Sequence, residues 1–120
     1  MNQKDIRKQC EQLWARNKYY VLSKSHKVYL EIREYLKELE LDLNVLLKKI
    51  DKVIELKESK KDFHNAILHL WGYFKNSAEK VEKDELFRLL EGYRTGVSGQ
   101  SSIIHYIHTL LEKYPKHYLQ

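Results

Sequence analysis

Apolar residues recur three and four positions apart along most of the chain, the spacing of one face of an α-helix. The first such run covers roughly residues 3–22, with Ile6, Cys10, Leu13, Asn17 and Tyr20 along one stripe. Ser25 is placed to cap a second helix, whose inner face carries Tyr29, Ile32, Leu36 and Leu39. A third begins near Asp42 or Asn44, with Leu46, Leu47, Ile50, Val53 and Ile54 as its stripe. The polar residues from Lys57 to Lys61 interrupt the pattern. A fourth helix runs over about 61–75 and is the most apolar, with Phe63, Ile67, Leu70, Trp71 and Phe74. Ser77 is placed to cap a fifth and sets Glu79 in its first turn, where the positive end of the helix dipole favours a carboxylate. That helix carries Leu86, Leu90 and Tyr93, and Gly96 suits the left-handed position that closes a helix. The sixth holds Ile103, Ile104, Ile107, Leu110, Leu111 and Tyr114 and stops before Pro115. The pattern predicts an all-α chain, a single compact bundle of about six helices with residues 1–120 as one domain.

Composition sharpens this picture. With four Gly and one Pro among 120 residues, the tight turns of an all-β chain have little material. A single cysteine, Cys10, excludes an internal disulfide and any all-cysteine metal or iron–sulfur site built by this chain alone. Its place between Ile6 and Leu13 predicts a shielded, structural thiol. The polar start, Met1 to Asp5, predicts no signal peptide, and no uncharged run is apolar enough to span a membrane. A cytoplasmic protein with a reduced thiol is the expectation.

Charge has a direction. The chain carries 22 Lys and Arg against 17 Asp and Glu, a net +5. Lys4, Arg7, Lys8, Arg16, Lys18, Lys24 and Lys27 face only Asp5 and Glu11 within the first 27 residues, so the whole excess lies there. These seven are expected to form much of one basic surface, either a polyanion-facing site or a solvated helix face. Tyr19 and Tyr20 lie beside Lys18, and Tyr106, Tyr114 and Tyr118 cluster near the C-terminus. Aromatic rings among cations suit single-stranded RNA, although tyrosine also packs its ring inward and keeps its hydroxyl wet.

Catalytic signatures are missing: the four glycines are scattered at 72, 92, 96 and 99, and there is no HExxH. His105 and His108 are three apart, but no further ligand accompanies them, so neither a metal nor any other cofactor is expected. Asn65, His69 and Gly72 fall at i, i+4 and i+7 along the fourth helix, beside its apolar stripe. That line reads as a satisfied polar group at a close helix crossing or as a pocket wall, with His69 reaching a partner among Asn17, Lys18, Tyr93 and Arg94.

Asn17-Lys18-Tyr19, Leu22, Ser25, Tyr29, Asn65-x-x-x-His69-Leu70-x-Gly72-Tyr73-Phe74-Lys75, Tyr93-Arg94-x-Gly96, Tyr114-Pro115 and Tyr118-Leu119 together resemble the YbgA-like family of bacterial domains. The chain departs from the family at Ser23-Lys24-Ser25-His26, where Ala-His-Ser-Pro is usual, and at Val97–Gln100, where the family is proline-rich. The resemblance implies a helical domain that occurs alone or fused to a domain similar to thiouracil desulfidases, and that helps to hold thiolated tRNA in such fusions. It marks Asn17, Ser25, Tyr29, Asn65, His69, Tyr73, Lys75, Tyr93 and Arg94 as motif residues. An RNA-binding accessory, with tRNA as the expected partner and Arg7, Lys8, Arg16, Lys18, Lys24 and Lys27 as the contacts, is the first functional expectation. The alternatives are a module that docks a desulfidase-like protein and a small enzyme with a pocket around Asn65 and His69.

Overall fold

The structure is a computed structural model and describes residues 2–115. Six α-helices follow one another: α1 (Gln3–Lys24), α2 (His26–Tyr35), α3 (Leu43–Asp51), α4 (Lys60–Trp71), α5 (Lys80–Thr95) and α6 (Gln100–Lys113). A short 3₁₀ turn, Lys52–Glu55, continues α3. There is no strand among the described residues, so the fold class is all-α, as the apolar spacing predicts.

The helix ends follow local chemistry. Asn2 caps α1 by accepting from the Asp5 amide, and Ser25 caps α2 by accepting from the Val28 amide at 3.1 Å. Asp42 caps α3 through the Asn44 and Val45 amides. Gly96 closes α5 in the left-handed conformation, φ 87°, where only glycine sits without strain. Ser77 does not cap α5: Glu79 holds the N-cap position, and its amide donates to Glu82 Oε1 at 2.8 Å. The Glu82 carboxylate, three residues into the helix, thus makes the half of a capping box that reaches back to the N-cap amide. Regular α-helix in α4 ends at Trp71 rather than near Lys75, and turns carry the chain from Gly72 to Ser77.

The chain divides into two compact units, residues 1–66 and 67–120. In the first, α1, α2 and α3 enclose a core of Cys10, Val21, Ile32, Leu41, Leu46, Ile50 and Val53. Ile6, Leu13, Trp14, Val28, Tyr29, Tyr35, Leu36 and Leu43 pack around it. Two residues of the expected α3 stripe stay outside: the turn to 3₁₀ geometry after Asp51 changes the period, leaving Ile54 63% exposed, and Leu47 is at the rim. Leu39, expected on the inner face of α2, lies beyond the end of that helix and is exposed.

In the second unit α5 and α6 pack together, and Leu86, Leu89, Leu90, Tyr93, Ile103 and Leu110 are buried. Trp71 meets Phe87 edge to face, with ring centroids 6.5 Å apart. Gly92 lies close under the turn that follows α5: a β-carbon there would stand 2.4 Å from Ser98 Oγ, so that hydroxyl would have to move aside. No helix among the described residues is long and apolar enough to cross a membrane.

Candidate nucleic-acid interface

The buried residues of α1 fix its orientation. Cys10 is fully buried, and at about 100° per residue Lys4, Lys8 and Arg16 fall on the side turned away from it. All three are exposed, and none forms an ion pair among the described residues. Asp5 and Glu11 share that solvent side, so the face is less cationic than the segment as a whole. Lys27 is exposed at the start of α2.

The other three cations have structural partners. Arg7 donates to the Leu36 carbonyl at 2.9 Å and to the Glu38 carbonyl, clasping the C-terminal end of α2. Lys24 donates to the Leu56 carbonyl at 2.7 Å, beyond the 3₁₀ turn. Lys18 is half-buried, with Nζ 5.2 Å from the centre of the Tyr19 ring. Arg7 and Lys24 are thus tied to backbone carbonyls, whereas Lys4, Lys8, Arg16 and Lys27 stand exposed.

The rings the sequence singles out are only part of the aromatic picture. Tyr20 is 45% exposed on α1. Tyr106 and Tyr114 are instead half-buried, with hydroxyls bonded to Glu82; Tyr118 lies outside the described residues. A different group forms where α1 meets α2. Trp14 and Tyr29 have ring centroids 5.4 Å apart, and His26 stacks on Tyr29 at 6.4 Å. The Arg33 guanidinium lies over the Tyr29 ring, 5.8 Å from its centre. His26 and Arg33 are exposed, whereas Trp14 and Tyr29 are half-buried. Helical spacing of His26, Tyr29 and Arg33 at i, i+3 and i+7 is a signal the sequence does carry, but the link to Trp14 depends on how two helices pack.

The motif residues meet varied fates. Asn17 is half-buried and donates to the Leu13 carbonyl of its own helix at 2.8 Å. Ser25 is a helix cap. Asn65 and Tyr73 are half-buried, and Lys75 is exposed. His69 and Gly72 are exposed, which corrects the expectation that the whole line faces other helices. A β-carbon on Gly72 would meet only the His69 and Leu68 carbonyls of the preceding turn, so no close helix crossing occurs there. Tyr93 is buried and accepts from Gln100 Nε2 at 2.9 Å, while Arg94 is exposed and forks onto the Glu91 carboxylate.

Sequence reasoning misses Glu82. Its carboxylate accepts from the Glu79 amide at 2.8 Å, the Tyr114 hydroxyl at 2.6 Å and Lys113 Nζ at 3.1 Å, and its carbonyl accepts from Tyr106. The Glu79 amide, then the Tyr114 hydroxyl, hold the carboxyl below the usual carboxylate range. Nothing in the local pattern marks a residue whose partners are mostly one helix away. Beside this group lies a shallow hollow of about 420 Å³, lined by Glu85, Leu89, Ser101, Ser102, His105 and Tyr106. His105 and His108 are exposed, and no cluster of three His, Cys, Asp or Glu side chains suited to a metal occurs among the described residues. Cys10 is a shielded core residue, and that burial pushes its thiol up.

An all-α domain with a partly cationic outer helix and an aromatic rim is the class these features define. The chain belongs to the family of proteins of unknown function designated DUF1722, whose profile matches residues 18–120. This is the YbgA-like family of the motif resemblance. Lys4, Arg7, Lys8, Trp14 and Arg16 precede the matched segment. No curated protein and no solved structure matches the chain.

Proposed function

We propose that this domain binds RNA, with tRNA as the expected class, and serves as an accessory in the bacterial cytoplasm without catalysis of its own. The observation that supports this is the solvent side of α1, where Lys4, Lys8 and Arg16 stand exposed with no ion pair among the described residues. Cations left free in this way can exchange their counterion shell for phosphates, which gives affinity without sequence choice. Arg7 and Lys24 are withdrawn from this role by the carbonyls they hold.

The test is a tRNA titration at several salt concentrations, on the native protein and on Lys4→Glu/Lys8→Glu/Arg16→Glu. Loss of three phosphate contacts lowers the slope of log K against log salt by about 2–3. Equal affinity and equal slope for the two proteins would overturn the assignment of this face. Absence of any tRNA binding, with capture of a desulfidase-like protein insensitive to salt, would replace RNA binding by the docking role.

A further inference from the structure

We infer that the seam between α1 and α2 is a stacking platform for the bases of an unpaired RNA strand; this rests on the RNA reading above and gives it a strand type and a place. The platform is the ladder His26, Tyr29 and Trp14, with centroid spacings of 6.4 and 5.4 Å. Arg33 lies over Tyr29, and Lys18 follows Trp14 by one helical turn.

These groups sit at the rim of the first unit rather than in it. Cys10, Val21 and Ile32, the fully buried neighbours on the same two helices, already fill the core. His26 and Arg33 are exposed, so the ladder ends in an open imidazole beside an open guanidinium. A base presents a π-face to a ring or to a guanidinium plane only when it is free of its partner and its neighbours in a helix. Arg33, exposed on the same rim, is then placed to meet a phosphate that flanks such a base, with Glu11 the acidic residue at this edge of α1. A duplex hides its base faces and gains only the charge.

Trp14 makes the idea testable by fluorescence. In Trp71→Phe it is the only tryptophan, and the probes are an unpaired oligoribonucleotide, the same strand annealed to its complement, and an abasic strand of equal length. The unpaired strand is expected to quench Trp14, and the other two to leave it bright. His26→Ala/Arg33→Ala is expected to weaken the unpaired strand about tenfold, within the range for loss of one stacked base, with an unchanged Tm. Trp14→Phe on the native background gives the complementary reading, since the quench must vanish there even if Trp71→Phe folds poorly. Binding without quenching, or equal affinity for the abasic strand, would overturn the platform and leave the charged face of α1 standing. No binding of any RNA by the native protein would overturn both.

Discussion

The two units hold their long polar side chains in different ways. In residues 2–66 the long side chains reach out to backbone. Gln3 both donates to and accepts from Leu41, Arg7 holds Leu36 and Glu38, Lys24 holds Leu56, and the Tyr35 hydroxyl exchanges bonds with Asp42. In residues 67–115 the contacts converge on one residue, Glu82, whose carboxylate gathers Tyr114 and Lys113 and whose carbonyl accepts from Tyr106. The reason is the connections. The first unit has irregular segments after α2 and after the 3₁₀ turn, whose carbonyls lack helical partners and draw donors from elsewhere. Between α5 and α6 the connection is short and satisfies itself, because the Val97 and Ser98 amides donate to the Gly92 carbonyl. A net basic segment is therefore a poor measure of a basic surface, since some of its cations serve as clasps.

The strongest way to break this comparison is to remove a clasp. Arg7→Ala strips two donors from the end of α2 and is expected to destabilise the protein by about 1–3 kcal/mol, the range for bonds made by a charged donor. Arg7→Lys, with a point charge in place of a planar fork, recovers only part of that. Chemical denaturation measures the loss, and the salt slope for tRNA should stay as in the native protein. An unchanged denaturation midpoint together with a reduced slope would return Arg7 to the nucleic-acid face.

A smaller effect, confined to acid, is expected in the second unit. The Glu82 carboxyl is held below its ordinary range, so its stabilisation is fully present above the unfolded value and is lost as pH falls through the folded one. Glu82→Gln should lower the Tm at neutral pH, and the gap to the native protein should close as the solution is acidified through the carboxylate range. A gap that persists unchanged at low pH would show that the carboxylate's charge does not hold α5 to α6.

Much of this architecture is legible in residue spacing. The Ser25 cap, the Gly96 close and the stop before Pro115 follow from residues acting on their own backbone, and such effects need no knowledge of the fold. The errors have one source. Extending a helical period places Leu47, Ile54 and His69 inward, yet whether a face is covered depends on packing partners that no local pattern names. Arg7 and Glu82 escape a local reading for the same reason, since the atoms they hold lie 29 and 32 residues away in sequence at Leu36 and Tyr114.

His69 gives the smallest expected effect and the sharpest contrast with Arg7. Its position on α4 suggests a buried partner, yet the side chain is exposed and Gly72, one turn on, admits no neighbouring backbone. An exposed histidine without a covering helix has little to lose on truncation, so His69→Ala should stay within about 0.5 kcal/mol of the native protein, as surface substitutions do. Alanine also has the higher helix propensity, which offsets the removal of any weak surface interaction of the ring. Thermal melts of the two proteins at neutral pH provide the comparison. A destabilisation of about 1 kcal/mol or more, the scale of a stranded buried partner, would mean that the imidazole is held by a polar group after all. With stability unmoved, the same variant can be titrated with tRNA. Weaker binding there would assign His69 an RNA contact of its own, and equal binding would leave His69 without one.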